Sequence, residues 1–158
     1  HDQTRRQRQM CIRDRPLIGD VNDAAKKIHQ KLKEIESSTK PTAIVWGGET
    51  TVKIKGSGLG GRNQELALIV AELAHQDPIR KSWTFLSGGT DGRDGPTEAA
   101  GAIVDQETCK RILNEGYQVY DFLAENNSNK ALKISNDLLH TGATGTNVAD
   151  VQILIVSQ

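Results

Sequence analysis

Thr51-Val52-Lys53-Ile54-Lys55-Gly56-Ser57-Gly58-Leu59-Gly60-Gly61-Arg62-Asn63-Gln64-Glu65-Leu66-Ala67-Leu68-Ile69-Val70 changes its period halfway along. Residues 51–55 alternate polar and apolar, the pattern of a strand with one wet face. A glycine-rich turn follows, and residues 66–74 are almost continuously apolar, the pattern of a buried helix. A strand that feeds a helix through a shaped glycine corner is the unit from which α/β domains are built.

Working outward, the same alternation recurs. Residues 20–36 carry Val21, Ala24, Ala25, Ile28, Leu32 and Ile35 at helical spacing opposite a lysine-rich face, with Asp20 placed to cap the helix. Ala43-Ile44-Val45-Trp46 reads as a buried strand stopped by Gly47-Gly48, and Trp83-Thr84-Phe85-Leu86 as the next one. Ala102-Ile103-Val104 is a short strand, after which Asp105 is expected to cap a helix ending at Gly116. Residues 121–134 read as short helical turns around Asn126-Asn127-Ser128, and residues 151–156 as a closing strand. The expected fold is one α/β layered domain with a mixed sheet flanked by helices.

Three glycine loops join these elements and hold the chemistry. The first contains G-x-G-x-x-G as Gly56, Gly58 and Gly61, the outline of a dinucleotide-binding turn. No acidic residue closes a second strand about 20 residues on, where such a turn needs a ribose ligand. A helix N-terminus offering bare N–H groups to an anion, with Arg62 as a forked donor beside it, fits these residues better. The second loop, Ser87-Gly88-Gly89-Thr90-Asp91-Gly92-Arg93-Asp94-Gly95-Pro96-Thr97, sets two carboxylates just past a strand end. They suit a shared magnesium ion, a base acting on a hydroxyl, or plain turn chemistry in which aspartates satisfy nearby N–H groups. The third loop, Thr141-Gly142-Ala143-Thr144-Gly145-Thr146-Asn147, offers hydroxyls and backbone donors and meets its first charge at Asp150. The histidines show no metal spacing, and His140 and His75 read as surface residues.

Composition narrows the function classes. Twenty Lys and Arg balance twenty Asp and Glu, so the charge excess expected of a nucleic-acid or polybasic membrane partner is missing. No apolar run approaches the roughly 20 residues of a membrane helix. Two isolated cysteines, Cys11 and Cys109, point to a reducing compartment. Residues 1–15 stand apart, with five arginines and no apolar period, and read as a non-native or disordered tail that packs on nothing. Residues 16–158 then form the domain.

Four motifs in order resemble the C-terminal MOFRL domain of glycerate 2-kinases. They are Gly47-Gly48-Glu49-Thr50-Thr51-Val52, Gly60-Gly61-Arg62-Asn63-Gln64-Glu65-Leu66-Ala67-Leu68, the Gly89 to Thr97 loop with Ala99-Ala100-Gly101-Ala102, and the Thr141 loop through Val148. The resemblance implies ATP as phosphoryl donor, Mg2+, and D-glycerate as the small-molecule substrate, with 2-phosphoglycerate as product. It implies that Arg62 and Asp91 are catalytic, and that Gly60, Gly61, Asn63, Thr90, Asp94, Thr146 and Asn147 line the substrate and nucleotide site. Asp91 and Asp94 are the implied metal ligands. In that family an N-terminal kinase domain completes the cleft, so this chain is expected to be inactive alone, in a cytoplasmic or mitochondrial enzyme. The rival expectations are a Rossmann-like nucleotide-binding module without chemistry and a lid that only docks.

Overall fold

A computed structural model of the chain describes residues 10–157. Seven strands form one mixed sheet: β1 (Met10–Arg13), β2 (Leu17–Asp20), β3 (Thr42–Thr51), β4 (Trp83–Gly89), β5 (Gly101–Asp105), β6 (Leu138–Leu139) and β7 (Asp150–Val156). Their spatial order is β1-β3-β7-β4-β5-β6, with β2 also on β3. β1 and β2 lie end to end along one edge of β3, both parallel to it, while every other pairing is antiparallel. The helices are α1 (Val21–Ile35), α2 (Arg62–Gln76), α3 (Thr108–Asn114), α4 (Val119–Ala124) and α5 (Ser128–Ser135).

The mixed sheet flanked by helices is the expected architecture, and the alternation along the strands shows where the core sits. Ile44, Trp46, Phe85, Val104, Leu154 and Val156 are buried, whereas Ile103 and Ile155 on the opposite face are 38% and 43% exposed. Helices therefore cover one face. α2 lies at their centre, buried at every position from Asn63 to Ala71, which is why residues 66–71 are apolar all round. α1 shows the contrasting stripe, burying the six predicted apolar residues and capped by Asp20, whose carboxylate accepts from the Asn22 N–H. Cys109 is core, and burial pushes its thiol pKa up.

Local expectations needed correction in four places. Asp105 ends β5, and the cap position of α3 is Glu107. Gly47-Gly48 does not stop a strand; β3 runs straight through to Thr51, and residues 52–55 are not a strand. The reason is a close approach. Gly48 has φ +133°, and a Cβ there would stand 2.2 Å from the Leu17 carbonyl oxygen of the parallel neighbour β2, so glycine allows the pairing. Likewise α2 begins at Arg62, earlier than its apolar run suggests. Finally, the expectation that residues 1–15 pack on nothing needs correction where they are described. Residues 1–9 lie outside the described residues, but Met10–Arg13 pairs with Thr42, Ala43, Ile44 and Val45 as an edge strand. Among the described residues, no helix is long and apolar enough to cross a membrane.

Candidate functional site

The three glycine loops meet at one end of the sheet, where Gly48 of β3, Asp150 of β7 and Gly89 of β4 lie side by side. Loop one joins loop two through Asp94. Its Oδ1 accepts from the Asn63 backbone N–H at 3.0 Å and from Asn63 Nδ2 at 3.2 Å. Its Oδ2 accepts from the Gln64 backbone N–H at 2.8 Å and from Gln64 Nε2 at 3.0 Å. The helix N-terminus expected to face a ligand is thus filled from within. Gly61, at the cap position of α2, has no side chain to satisfy those donors, and a buried carboxylate from a distant loop does so instead. Burial raises the pKa of Asp94, with the Asn63 and Gln64 donors opposing it.

Around Asp94 the network continues inward. Ser87 Oγ donates to Asn63 Oδ1 at 2.7 Å, and Gln64 Nε2 also reaches Thr97 Oγ1 at 2.9 Å. Asn129 Nδ2 donates to Gln64 Oε1 at 2.8 Å. Asn126 ties down the other end of loop one: its Oδ1 accepts from the Lys55 and Gly56 N–H groups, while its Nδ2 donates to both oxygens of Glu65. Asn63, Gln64 and Asp94 are each less than 5% exposed. They frame the site and do not face solvent.

Loop two joins loop three through Thr90. Its N–H and hydroxyl both donate to the Ala149 carbonyl, at 3.0 and 2.6 Å. Its own Oγ1 accepts from the Val148 N–H at 2.9 Å, and its carbonyl accepts from Thr144 Oγ1. Ala149 sits at φ +68°, in the left-handed region. Asn147 Oδ1 accepts from the Ala149 N–H at 3.1 Å, a local turn bond. Thr146 is exposed, its N–H and carbonyl bonded to the Thr144 hydroxyl.

Arg62, at the first turn of α2, joins loop one to the start of β7. Its Nε and Nη2 donate to Asp150 Oδ2 and Oδ1 at 2.6 and 3.0 Å, a two-point pair with a carboxylate that is fully buried. The outer nitrogen Nη1 stands 3.1 Å from the exposed Glu49 of β3. Asp150 is the main cause of a raised arginine pKa, with Glu49 and Asp94 adding to it. Arg62 is therefore not the free fork that the sequence suggested; one of its edges is spent on the protein itself.

Asp91 is half-buried at the mouth of a cleft of about 520 Å³, which Arg93, Glu98, His140, Gly142 and Ala143 also line. Its Oδ1 accepts from the Arg93 N–H at 3.0 Å, the turn bond expected of an aspartate among glycines, and Oδ2 has no hydrogen-bond partner among the described residues. Asp91 and Asp94 face different surroundings: Asp94 points into α2, away from solvent, and among the described residues no group of three or more His, Cys, Asp or Glu is arranged to hold a metal. Glu49 and Asp150 were missed from sequence. The available signal for Asp150 was that it is the first charge after the third loop. For Glu49 it was a carboxylate set directly after a glycine pair.

The profile of the MOFRL family matches residues 42–150. The chain is 45% identical over 142 residues to the D-glycerate 2-kinase of Thermotoga maritima, covering 87% of this chain and 33% of that protein. It is 49% identical over 120 residues to the glycerate kinase of Homo sapiens, covering 73% of this chain and 23% of that one. Superposed on the crystal structure of Thermotoga maritima glycerate kinase it gives a TM-score of 0.86 at 42% identity, covering 94% of this chain and 36% of that chain. A Pyrococcus horikoshii structure gives 0.84 at 40%, covering 94% and 34%. The chain spans about a third or less of the length of the curated relatives it matches.

Proposed function

The chain belongs to the MOFRL family, and from that premise we propose that it serves as one domain of an ATP-dependent glycerate kinase acting on D-glycerate. The observation that carries the proposal is the 45% identity over 142 residues to a D-glycerate 2-kinase. In phosphoryl transfer the protein mainly positions the reactants and neutralises charge. The outward edge of Arg62 would hold a phosphate or the glycerate carboxylate, and Asp91 would orient or deprotonate the attacking hydroxyl. Thr90, Thr146 and Asn147 would shape the loops beside it, and Gly60 and Gly61 would let the frame close on Asp94.

Magnesium fits this chain at one ligand position. Such ions are commonly held by one or two carboxylates together with substrate phosphates and water, and Asp91 keeps an unpaired oxygen for that purpose. Asp94 does not fit, because both its oxygens already take donors from α2. Bound there, the ion would neutralise the charge of the transferring phosphoryl group. The rival dinucleotide module loses its physical basis, since the pyrophosphate would need the helix N–H groups that Asp94 occupies.

We expect the 158-residue chain alone to release no ADP with D-glycerate, ATP and magnesium, because the relatives carry roughly twice as much further sequence. Exchanged for the matching third of the Thermotoga maritima enzyme, it should give a glycerate-dependent kinase with 2-phosphoglycerate as product by NMR. A folded hybrid without glycerate-dependent ADP release would overturn the reading, and robust activity of the chain alone would overturn the need for a second domain.

A further inference from the structure

Arg62 presents two edges with different fates. The Nε and Nη2 edge is bound at both points by Asp150, whose side chain is fully buried. That pairing fixes the plane of the guanidinium and leaves the Nη1 and Nη2 edge turned outward. The outward edge has the spacing that matches a carboxylate or a phosphate. It already carries one: Glu49 Oε1, 3.1 Å from Nη1, on a side chain 62% exposed. Glu49 sits where β3 leaves β7, since the pairing of the two strands ends at Gly48 and Asp150. Nothing buries the Glu49 carboxylate, so the contact costs little to break. Asp150, Glu49 and Asp94 together outnumber the single positive charge of Arg62. A second anion gains nothing there while Glu49 remains.

We propose that Glu49 is an internal competitor for the outward edge of Arg62, that a small oxyanion of the carboxylate or phosphate class enters by displacing it, and that Asp150 is the positioning residue holding that edge in place. The inference rests on the reading of Arg62 as the substrate-facing cation given above. It makes the protein's own Glu49 carboxylate the occupant of that edge until an anion arrives. It also makes anion binding an exchange, so affinity depends on where the Glu49 side chain goes.

The test uses the 158-residue chain and its Glu49→Gln variant, titrated separately with inorganic phosphate and with D-glycerate and followed by the Arg62 Nε–H resonance. An exposed ion pair of this kind is worth about 0.2–1 kcal/mol, so its removal should tighten binding by roughly 1.4- to 5-fold. The gain should shrink as salt rises from about 0.01 M to about 1 M, where screening falls from about 30 Å to about 3 Å. A response to phosphate alone identifies the phosphoryl donor as the displacing anion, and a response to D-glycerate identifies the acceptor carboxylate; either supports the exchange. Asp150→Asn should shift and broaden the Arg62 Nε–H signal and weaken binding of the same anion. If Glu49→Gln binds neither anion more tightly, or gains equally after Arg62→Gln, the proposal is wrong. Turnover plays no part in this readout. An active hybrid enzyme with no Glu49 effect would sink this inference alone, whereas tighter binding in an inactive hybrid would sink only the kinase reading.

Discussion

Asp91 and Asp94 share one loop and have opposite surroundings. Asp94 is buried and receives four N–H donors, whereas Asp91 lines the cleft and receives one. In the hybrid kinase, Asp91→Asn should lower kcat by about 100-fold or more, the scale of losing a general base. The control is Asp105→Asn. Asp105 ends β5, where its carboxylate accepts from the Glu107 N–H and pairs with Arg111 outside the cleft. That change should cost about 1 kcal/mol of stability or less, the scale of a part-exposed ion pair, and leave turnover intact. Equal turnover in the two variants would reduce Asp91 to a turn residue. Glu65 gives a separate test through pH. Burial raises its pKa above the ordinary value of 4.5, and the Asn126 amide opposes the shift. The folded state therefore holds this proton more tightly than the unfolded chain, and stability from this site falls as pH rises from 4.5 through the raised folded value. Glu65→Gln removes the buried charge and keeps an acceptor for Asn126. Its melting temperature should exceed that of the parent at alkaline pH, with the gap closing as the pH falls toward 4.5; a gap that widens on acidification would contradict the assignment.

At the level of elements, the loops are held by close backbone approach as much as by side chains. Gly92 and Gly116 share φ +87°, yet only Gly92 has a neighbour, with a Cβ there standing 1.9 Å from the Gly142 carbonyl oxygen. Gly116→Ala should cost about 1–2 kcal/mol, the penalty of the left-handed conformation alone. Gly92→Ala meets the same penalty and must also push the second loop off the third, for a total of about 3 kcal/mol or more. Denaturant unfolding of the two variants compares them directly. Equal losses would mean that the loops yield freely and that their docking is not a packed contact.

For the molecule as a whole, the decisive feature is that β3 has both edges filled. β7 lies on one side, and β1 and β2 follow one another on the other. Removing residues 1–14 strips β1 and exposes the backbone groups of β3 that face it, those of Ala43 and Val45, leaving an unprotected edge prone to pairing with other chains. The truncated chain should melt lower, by about 2–4 °C for each kcal/mol lost in a domain of this size, and should self-associate in sedimentation experiments. An unchanged, monomeric product would restore the reading of this segment as a tail.

The period of the apolar residues was enough to place α1, α2, β4 and β7 and to predict a mixed sheet, because burial on one face imposes its own spacing on the sequence. The glycine loops were visible for the same local reason, as were Arg62 and Asp91. Sequence could not place the partners. That Asp94 caps a helix begun in another loop, that Asp150 spends half of Arg62, and that Glu49 covers the other half are contacts between residues 13 to 88 positions apart, for which local pattern carries no signal. The same is true of β1, a short strand without alternation, and of β3 passing through Gly48. Those features exist only because the parallel neighbours and crossing loops arrive there once the chain has folded, and tertiary structure alone decides which donors are spent and which remain for a ligand.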